Sequence, residues 1–188
     1  MSFRIKAGRC CSGPPSSELL YATLVSPEGY ASAISDLSEI EPGILALDNE
    51  VITTFREFNI LDTDAKHPIR RDAIIQGKKL SYKPSYVQEN GKLYIMEAVD
   101  FTLTQKARSK DHAGYSAYMF NDIKENKANA EPISIVKVRE EDKAYEDVVL
   151  GLKFLENESE VVNWFDIRAR NAFIEMCRHV AYGGFNLF

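Results

Sequence analysis

The pair Asn90-Gly91 constrains this chain more than any other two residues. Both tolerate a positive φ, which a two-residue hairpin turn demands. On either side lies a strand-like run, residues 79–88 before the turn and 92–103, the most apolar of the runs here, after it. A second tight-turn signal, Gly77-Lys78, follows a third run over 69–76. The expectation is a meander of three antiparallel strands in the middle third of the chain.

Helices flank that meander. Ser38-Glu39-Ile40-Glu41-Pro42 reads as a capping box, and Ile44, Leu47, Val51, Phe55 and Phe58 follow at helical spacing, predicting a helix over 42–58. Residues 59–68 form a polar loop. Beyond the meander, a long helix over 105–125 starts at a Thr104 cap and carries Tyr115, Met119 and Ile123 as its apolar stripe. A turn over 126–131 leads to a strand over 133–138. Asp142 caps a helix in which Ala144, Val148, Leu152 and Leu155 share a face, and a strand over 161–165 carries Trp164 into the core. Asp166 caps a last helix bearing Ala169, Phe173, Met176, Cys177 and Val180, and Gly183-Gly184 stops it.

Two further strands, over 3–6 and 19–25, enclose a Gly-Pro-Ser loop near the N-terminus. The order β-β-α-β-β-β-α-β-α-β-α implies an α/β (α+β) chain with a mixed central sheet covered by helices. One domain is expected over 1–188: an N-terminal strand pair over 1–37, a core over 38–138, and a C-terminal α-β-α extension over 139–188.

Composition narrows the setting. The 188 residues are 45% hydrophobic and 27% charged, enough to bury a sizeable core. No apolar run reaches about 18 residues, so a membrane-spanning helix is not expected. The N-terminal segment lacks the apolar stretch of a secretory signal, and a cytoplasmic location follows as the expectation. Cys10, Cys11 and Cys177 are an odd set with an adjacent pair, which argues against a disulfide framework.

Net charge is −5, yet it is unevenly spread. Residues 66–83 hold six basic side chains (Lys66, Arg70, Arg71, Lys78, Lys79, Lys83) and one acid, Asp72. Residues 140–166 hold nine acids and two lysines. Either both are solvated faces, or the basic one meets an anionic partner such as DNA or RNA and the acidic one a basic protein.

The helix-meander-helix-strand order resembles the PD-(D/E)XK superfamily, the restriction-endonuclease-like fold. Pro84-Ser85 stands where that family has Pro-Asp, and Glu97-Ala98-Val99 where it has acid-x-Lys. The resemblance covers residues 42–138. It implies a hairpin that brings two carboxylates together around Mg²⁺, with a lysine two residues after the acid to act on the same water. Ser85 lacks the carboxylate and Val99 the ammonium, so only Glu97 matches.

A helix acid, Glu50 or Glu57, would complete a metal site with Glu97 in an active member. Lys83, Lys106 or Lys110 would supply the missing cation. Gln105, at the start of the following helix, stands where some nuclease relatives carry a Gln. The catalytic candidates are therefore Glu97, Glu50 and Lys83, with Glu97 and Glu50 as Mg²⁺ ligands if cleavage survives. His112 is a candidate base or a solvated helix histidine. Tyr82, Tyr86 and Tyr94 alternate along the hairpin as a stacking platform or as packed strand residues.

Three functions compete. The first is a nuclease-fold protein that binds nucleic acid or protein without cleaving, with Arg70, Arg71, Lys78, Lys79 and Lys83 as the nucleic-acid contact. The resemblance and the small size suggest a phage or mobile-element origin for it. The second is an active Mg²⁺-dependent nuclease, and the third an acidic inhibitory or structural partner. The residues leave the oligomeric state open.

Overall fold

A computed structural model describes residues 44–183. The chain divides at Glu39–Ile40 into two units, and every described residue belongs to the second. The expected strands over 3–6 and 19–25 and the capping box at Ser38 lie outside the described residues.

The elements are α1 (Ile44–Glu57), β1 (Ile75–Gln76), β2 (Ser81–Tyr82), β3 (Tyr86–Asn90), β4 (Lys92–Asp100), α2 (Lys106–Asn126), β5 (Ala130–Lys137), a short 3-10 turn (Glu141–Ala144), α3 (Glu146–Glu158), β6 (Glu160–Asn163) and α4 (Ile167–Ala181). The main sheet has the order β3-β4-β5-β6. β3 and β4 are the antiparallel hairpin, turning at Gly91 with φ +72°. β4, β5 and β6 run parallel, joined through α2 and α3. The result is the mixed sheet flanked by helices that the residue pattern implies.

The meander differs from expectation. The run over 79–88 breaks at Lys83-Pro84: β2 pairs with β1 in a separate two-stranded ribbon, and β3 joins the main sheet. Proline has no N–H for a ladder, so the strand is interrupted there. The run over 69–76 likewise splits. Arg70 exchanges two backbone hydrogen bonds with Val87, at 2.8 and 2.9 Å, while β1 lies further on.

Two apolar layers cover the sheet. On one face, Leu47, Val51, Ile52 and Phe55 of α1 meet Tyr86, Met96, Ile133 and Ile135, with Phe173 and Cys177 of α4. On the other, Met119, Phe120 and Ile123 of α2 and Val148 and Leu155 of α3 meet Ile95, Val99 and Val136. The alternation of β4 assigns the faces: Ile95, Glu97 and Val99 look toward α2, and Met96 and Ala98 toward α1.

Caps follow local chemistry. Asp166 caps α4 as expected, accepting the N–H groups of Arg168 (2.9 Å) and Ala169 (3.2 Å). Thr104 does not cap α2; Gln105 holds that position without a side-chain cap bond. Asp142 does not cap α3 either. It sits in the 3-10 turn and accepts Lys106 Nζ at 2.6 Å and the Arg139 N–H at 3.1 Å, while Tyr145 precedes the helix. Burial pushes the Asp142 carboxyl up, but the Lys106 ammonium and the Arg139 N–H outweigh it and hold it below the ordinary carboxylate value. Ala144 is exposed, unlike Val148 and Leu155. Trp164 and Cys177 are core residues, and burial pushes the Cys177 thiol up.

Candidate functional site

The hairpin sets Ser85 beside Glu97. Tyr86 pairs with Met96, so one step back along β3 falls opposite Glu97 on β4. Ser85 binds that carboxylate twice. Its N–H donates to Oε1 at 2.8 Å and its hydroxyl to Oε2 at 3.0 Å. From α2, His112 brings Nε2 to 3.5 Å of Oε2, with its own ring open to solvent. Glu97 is thus a buried carboxylate with both oxygens engaged.

Glu50 does not join it. It lies on α1, across the sheet, and its Oε1 pairs with Lys137 of β5 at 2.5 Å. Val99 is fully buried among the α2-facing apolar residues. The alternative cations are engaged elsewhere: Lys83 with Asp72 at 2.7 Å, Lys106 with Asp142 and the Phe101 carbonyl, and Lys110 with Asp147 at 2.7 Å. Among the described residues, no three His, Cys, Asp or Glu side chains converge as a metal ion requires. The residues present therefore do not fit a Mg²⁺ site built from Glu97 and Glu50, because the sheet separates the two carboxylates and the nearer one is already bonded to Ser85.

The hairpin tyrosines form no platform. Tyr82 and Tyr86 are buried and only Tyr94 is half-exposed, which rules out stacking on the first two. Tyr86 donates its hydroxyl to Asp48 of α1, and Tyr82 donates to Asp122 of α2 at 2.9 Å. Burial, reinforced by those carboxylates, pushes both phenols up.

The basic segment is organised by bonds that residue spacing does not reveal. Asp122 is buried on α2, and its carboxylate accepts the backbone N–H groups of Lys79 (3.1 Å) and Leu80 (3.2 Å) as well as the Tyr82 hydroxyl. Its backbone carbonyl accepts the Lys78 N–H at 3.0 Å. Burial pushes this carboxyl up, but the Lys79 N–H, the Tyr82 hydroxyl and the Leu80 N–H together outweigh it and hold it low. The β1–β2 ribbon is thereby fixed to α2 at its Lys78-Lys79 turn.

At the other end, Arg70 is tied to β3, and Arg71 reaches Asp48 at 3.6 Å. Arg70, Arg71, Lys78, Lys79 and Lys83 are all exposed. Lys78 pairs with Glu125 at 3.1 Å, and Lys79 Nζ lies 5.6 Å from the Tyr118 ring centre. Asp48 and Asp122 are the organising residues that sequence reasoning missed. Each is a single acid on an amphipathic helix, with no local signal to mark it.

The acidic stretch leaves Tyr145, just before α3, and Val149, Leu150 and Phe154 on α3 exposed. Several of its acids are engaged within the domain, Asp147 with Lys110 and Glu158 with Lys124 among them. No helix among the described residues is long and apolar enough to cross a membrane.

No family model and no curated protein matches the chain. Among solved structures it is similar to the crystal structure of a protein of unknown function, AF1548, at 17% identity and a TM-score of 0.36. The match covers 62% of this chain and 56% of that one. A likeness at this level fixes neither fold family nor function.

Proposed function

We propose that this domain binds nucleic acid without cleaving it, on a nuclease-like hairpin frame whose acid now serves structure. The contact is the band formed by Arg70, Arg71, Lys78, Lys79 and Lys83. The observation that carries this reading is the way both ends of the band are pinned while its charges stay in solvent. Arg70 is fixed to Val87 and the Lys78-Lys79 turn to Asp122, yet all five side chains are exposed.

Their intramolecular partners are no obstacle. Asp48, Asp72 and Glu125 make single-point surface pairs, worth about 0–1 kcal/mol each, which phosphates displace readily. Cleavage is not part of the reading, because Ser85 and His112 take both oxygens of Glu97 and Val99 fills the place of a cation.

The test is retention on immobilised DNA and RNA, single- and double-stranded, for the wild type and the Lys78→Glu/Lys79→Glu variant. Retention that the reversal weakens several-fold supports the band. Equal retention of both proteins overturns it.

A second reading has its own observation. Val149, Leu150 and Phe154 are exposed on α3, with Tyr145 exposed just before it, among exposed acids such as Glu146 and Glu156, a surface suited to a basic protein partner with apolar anchors. Phe154→Glu then abolishes a complex with such a partner while leaving nucleic-acid retention intact.

A further inference from the structure

Among the described residues, the most exposed large apolar side chain lies within the basic band. Ile74 is 75% exposed, in a segment whose neighbours along the chain are Arg70 and Arg71 on one side and Lys78 and Lys79 on the other. Local geometry accounts for its position. Ile75 pairs with Tyr82 and Gln76 with Ser81, and the ribbon alternates. Tyr82 points inward to Asp122, and Ile75 is half-buried against the α2-side core. The outward side therefore carries Ile74, Gln76, Ser81 and Lys83, all exposed, with Gln76 and Ser81 bonded to each other at 2.6 Å.

The turn before Ile74 is held in an unusual conformation. Asp72 has φ +60°, a left-handed geometry that costs free energy in a non-glycine residue. Its carboxylate pairs with Lys83 across the ribbon at 2.7 Å. The Lys83 hydrogen bond and charge hold the Asp72 carboxyl below its ordinary value. The turn at Asp72 and the ribbon pinned to Asp122 together present a side chain that contributes little to the core.

Resting on the nucleic-acid reading above, we infer that Ile74 is an apolar wedge that enters the base stack of a duplex while the surrounding cations grip the phosphates. Aliphatic side chains flanked by basic residues act this way in proteins that kink DNA through the minor groove. The wedge needs a rigid mount, which the Asp122 clamp and the backbone bonds between Arg70 and Val87 provide. It also needs cations on both sides to hold the bent backbone, and along the chain Ile74 has Arg70 and Arg71 before it and Lys78 and Lys79 after it, all exposed. An anionic membrane is the less suitable partner, because one isoleucine buries too little apolar surface to anchor a domain in lipid.

The experiment uses the full chain and a duplex of about 20 base pairs with 2-aminopurine at a central TA step, chosen because such steps unstack easily. Fluorescence dyes at the ends report bending. The wild type is expected to raise 2-aminopurine emission several-fold and to shorten the end-to-end distance. Ile74→Ala is expected to bind within about tenfold of wild-type affinity, because the cost of unstacking offsets much of the gain from burial. It should keep the same salt dependence yet lose most of the emission rise and the bend.

Unchanged emission and bending in Ile74→Ala overturn the wedge while leaving the basic band standing. Absence of duplex binding at low salt overturns the wedge, and absence of retention on single- and double-stranded DNA and RNA overturns the basic band as well. Ile74-dependent binding to phosphatidylserine vesicles in place of the duplex overturns the wedge in favour of a membrane contact. Because Ile74 is exposed, matched thermal unfolding of the two proteins confirms that the variant is folded.

Discussion

The carboxylate of Asp122 receives the backbone N–H of Lys79 across 43 residues of sequence, and through that bond α2 carries the basic ribbon. A charged acceptor with several donors is among the stronger polar contacts in a folded chain. Asp122→Ala leaves the Tyr82 hydroxyl and two N–H groups without their partner. The expected cost is about 3 kcal/mol in urea unfolding, with nucleic-acid retention reduced even under conditions where the variant remains folded.

The same clamp explains Gly77. A Cβ there would stand 2.3 Å from Asp122 Oδ2 and 2.7 Å from the Tyr82 ring, and neither group can yield without losing the bond between them. Gly77→Ala is expected to destabilise the domain by about 1–3 kcal/mol, against a cost near zero for Gly114→Ala, where the nearest atoms are 3.7 Å away. Comparing the two urea midpoints checks this.

Acid stability follows from Asp122 and Asp142. Both carboxyls are held below their ordinary value in the folded chain. A group whose folded pKa is depressed contributes stability above its unfolded pKa, and that contribution is lost as pH falls through the folded pKa. The melting temperature is therefore expected to be steady at neutral pH and to fall below about pH 4, where an unfolded Asp takes up its proton. Asp122→Asn is expected to start lower and to show a shallower fall. An equal acid slope in the variant would remove Asp122 from the explanation.

The hairpin acid gives a separate prediction. Because Ser85 and His112 hold Glu97 as a structural group, Glu97→Ala is expected to lower stability by about 1–3 kcal/mol. Placing at these two positions the residues that the PD-(D/E)XK superfamily carries is not expected to create a nuclease. Ser85→Asp sets a second carboxylate against a buried one, and Val99→Lys forces an ammonium into the apolar layer under α2. The double variant is expected to lose several kcal/mol and to leave plasmid DNA intact in Mg²⁺ or Mn²⁺. Cleavage by it, or by the wild type in a Glu97-dependent way, would contradict the structural role.

Much of the architecture was legible because it rests on local rules. Asn90-Gly91 marked the hairpin, the spacing of Leu47, Val51 and Phe55 marked α1, and Asp166 marked the start of α4. The misplaced features depend on tertiary partners. Pro84 diverts the chain out of the expected meander, and the choice between Asp142 and Tyr145 at the start of α3 turns on Lys106, 36 residues away. The candidate site was legible only as a juxtaposition. Residue spacing brought Ser85 to Glu97, but it gave no sign that Glu50 would face the other side of the sheet and bind Lys137. It likewise marked a basic segment without showing that Ile74 stands outward in its midst.

Binding of nucleic acid through the basic segment is tested by the salt dependence of duplex binding, measured as log K against log salt concentration for the wild type and for Lys78→Glu/Lys79→Glu. Each phosphate contact contributes about −0.9 to the slope. Phosphate contact through Lys78 and Lys79 predicts a steep negative slope for the wild type, flattened by about 2 in the double variant as two contacts are lost. A flat wild-type slope, or the same slope in both proteins, would contradict it.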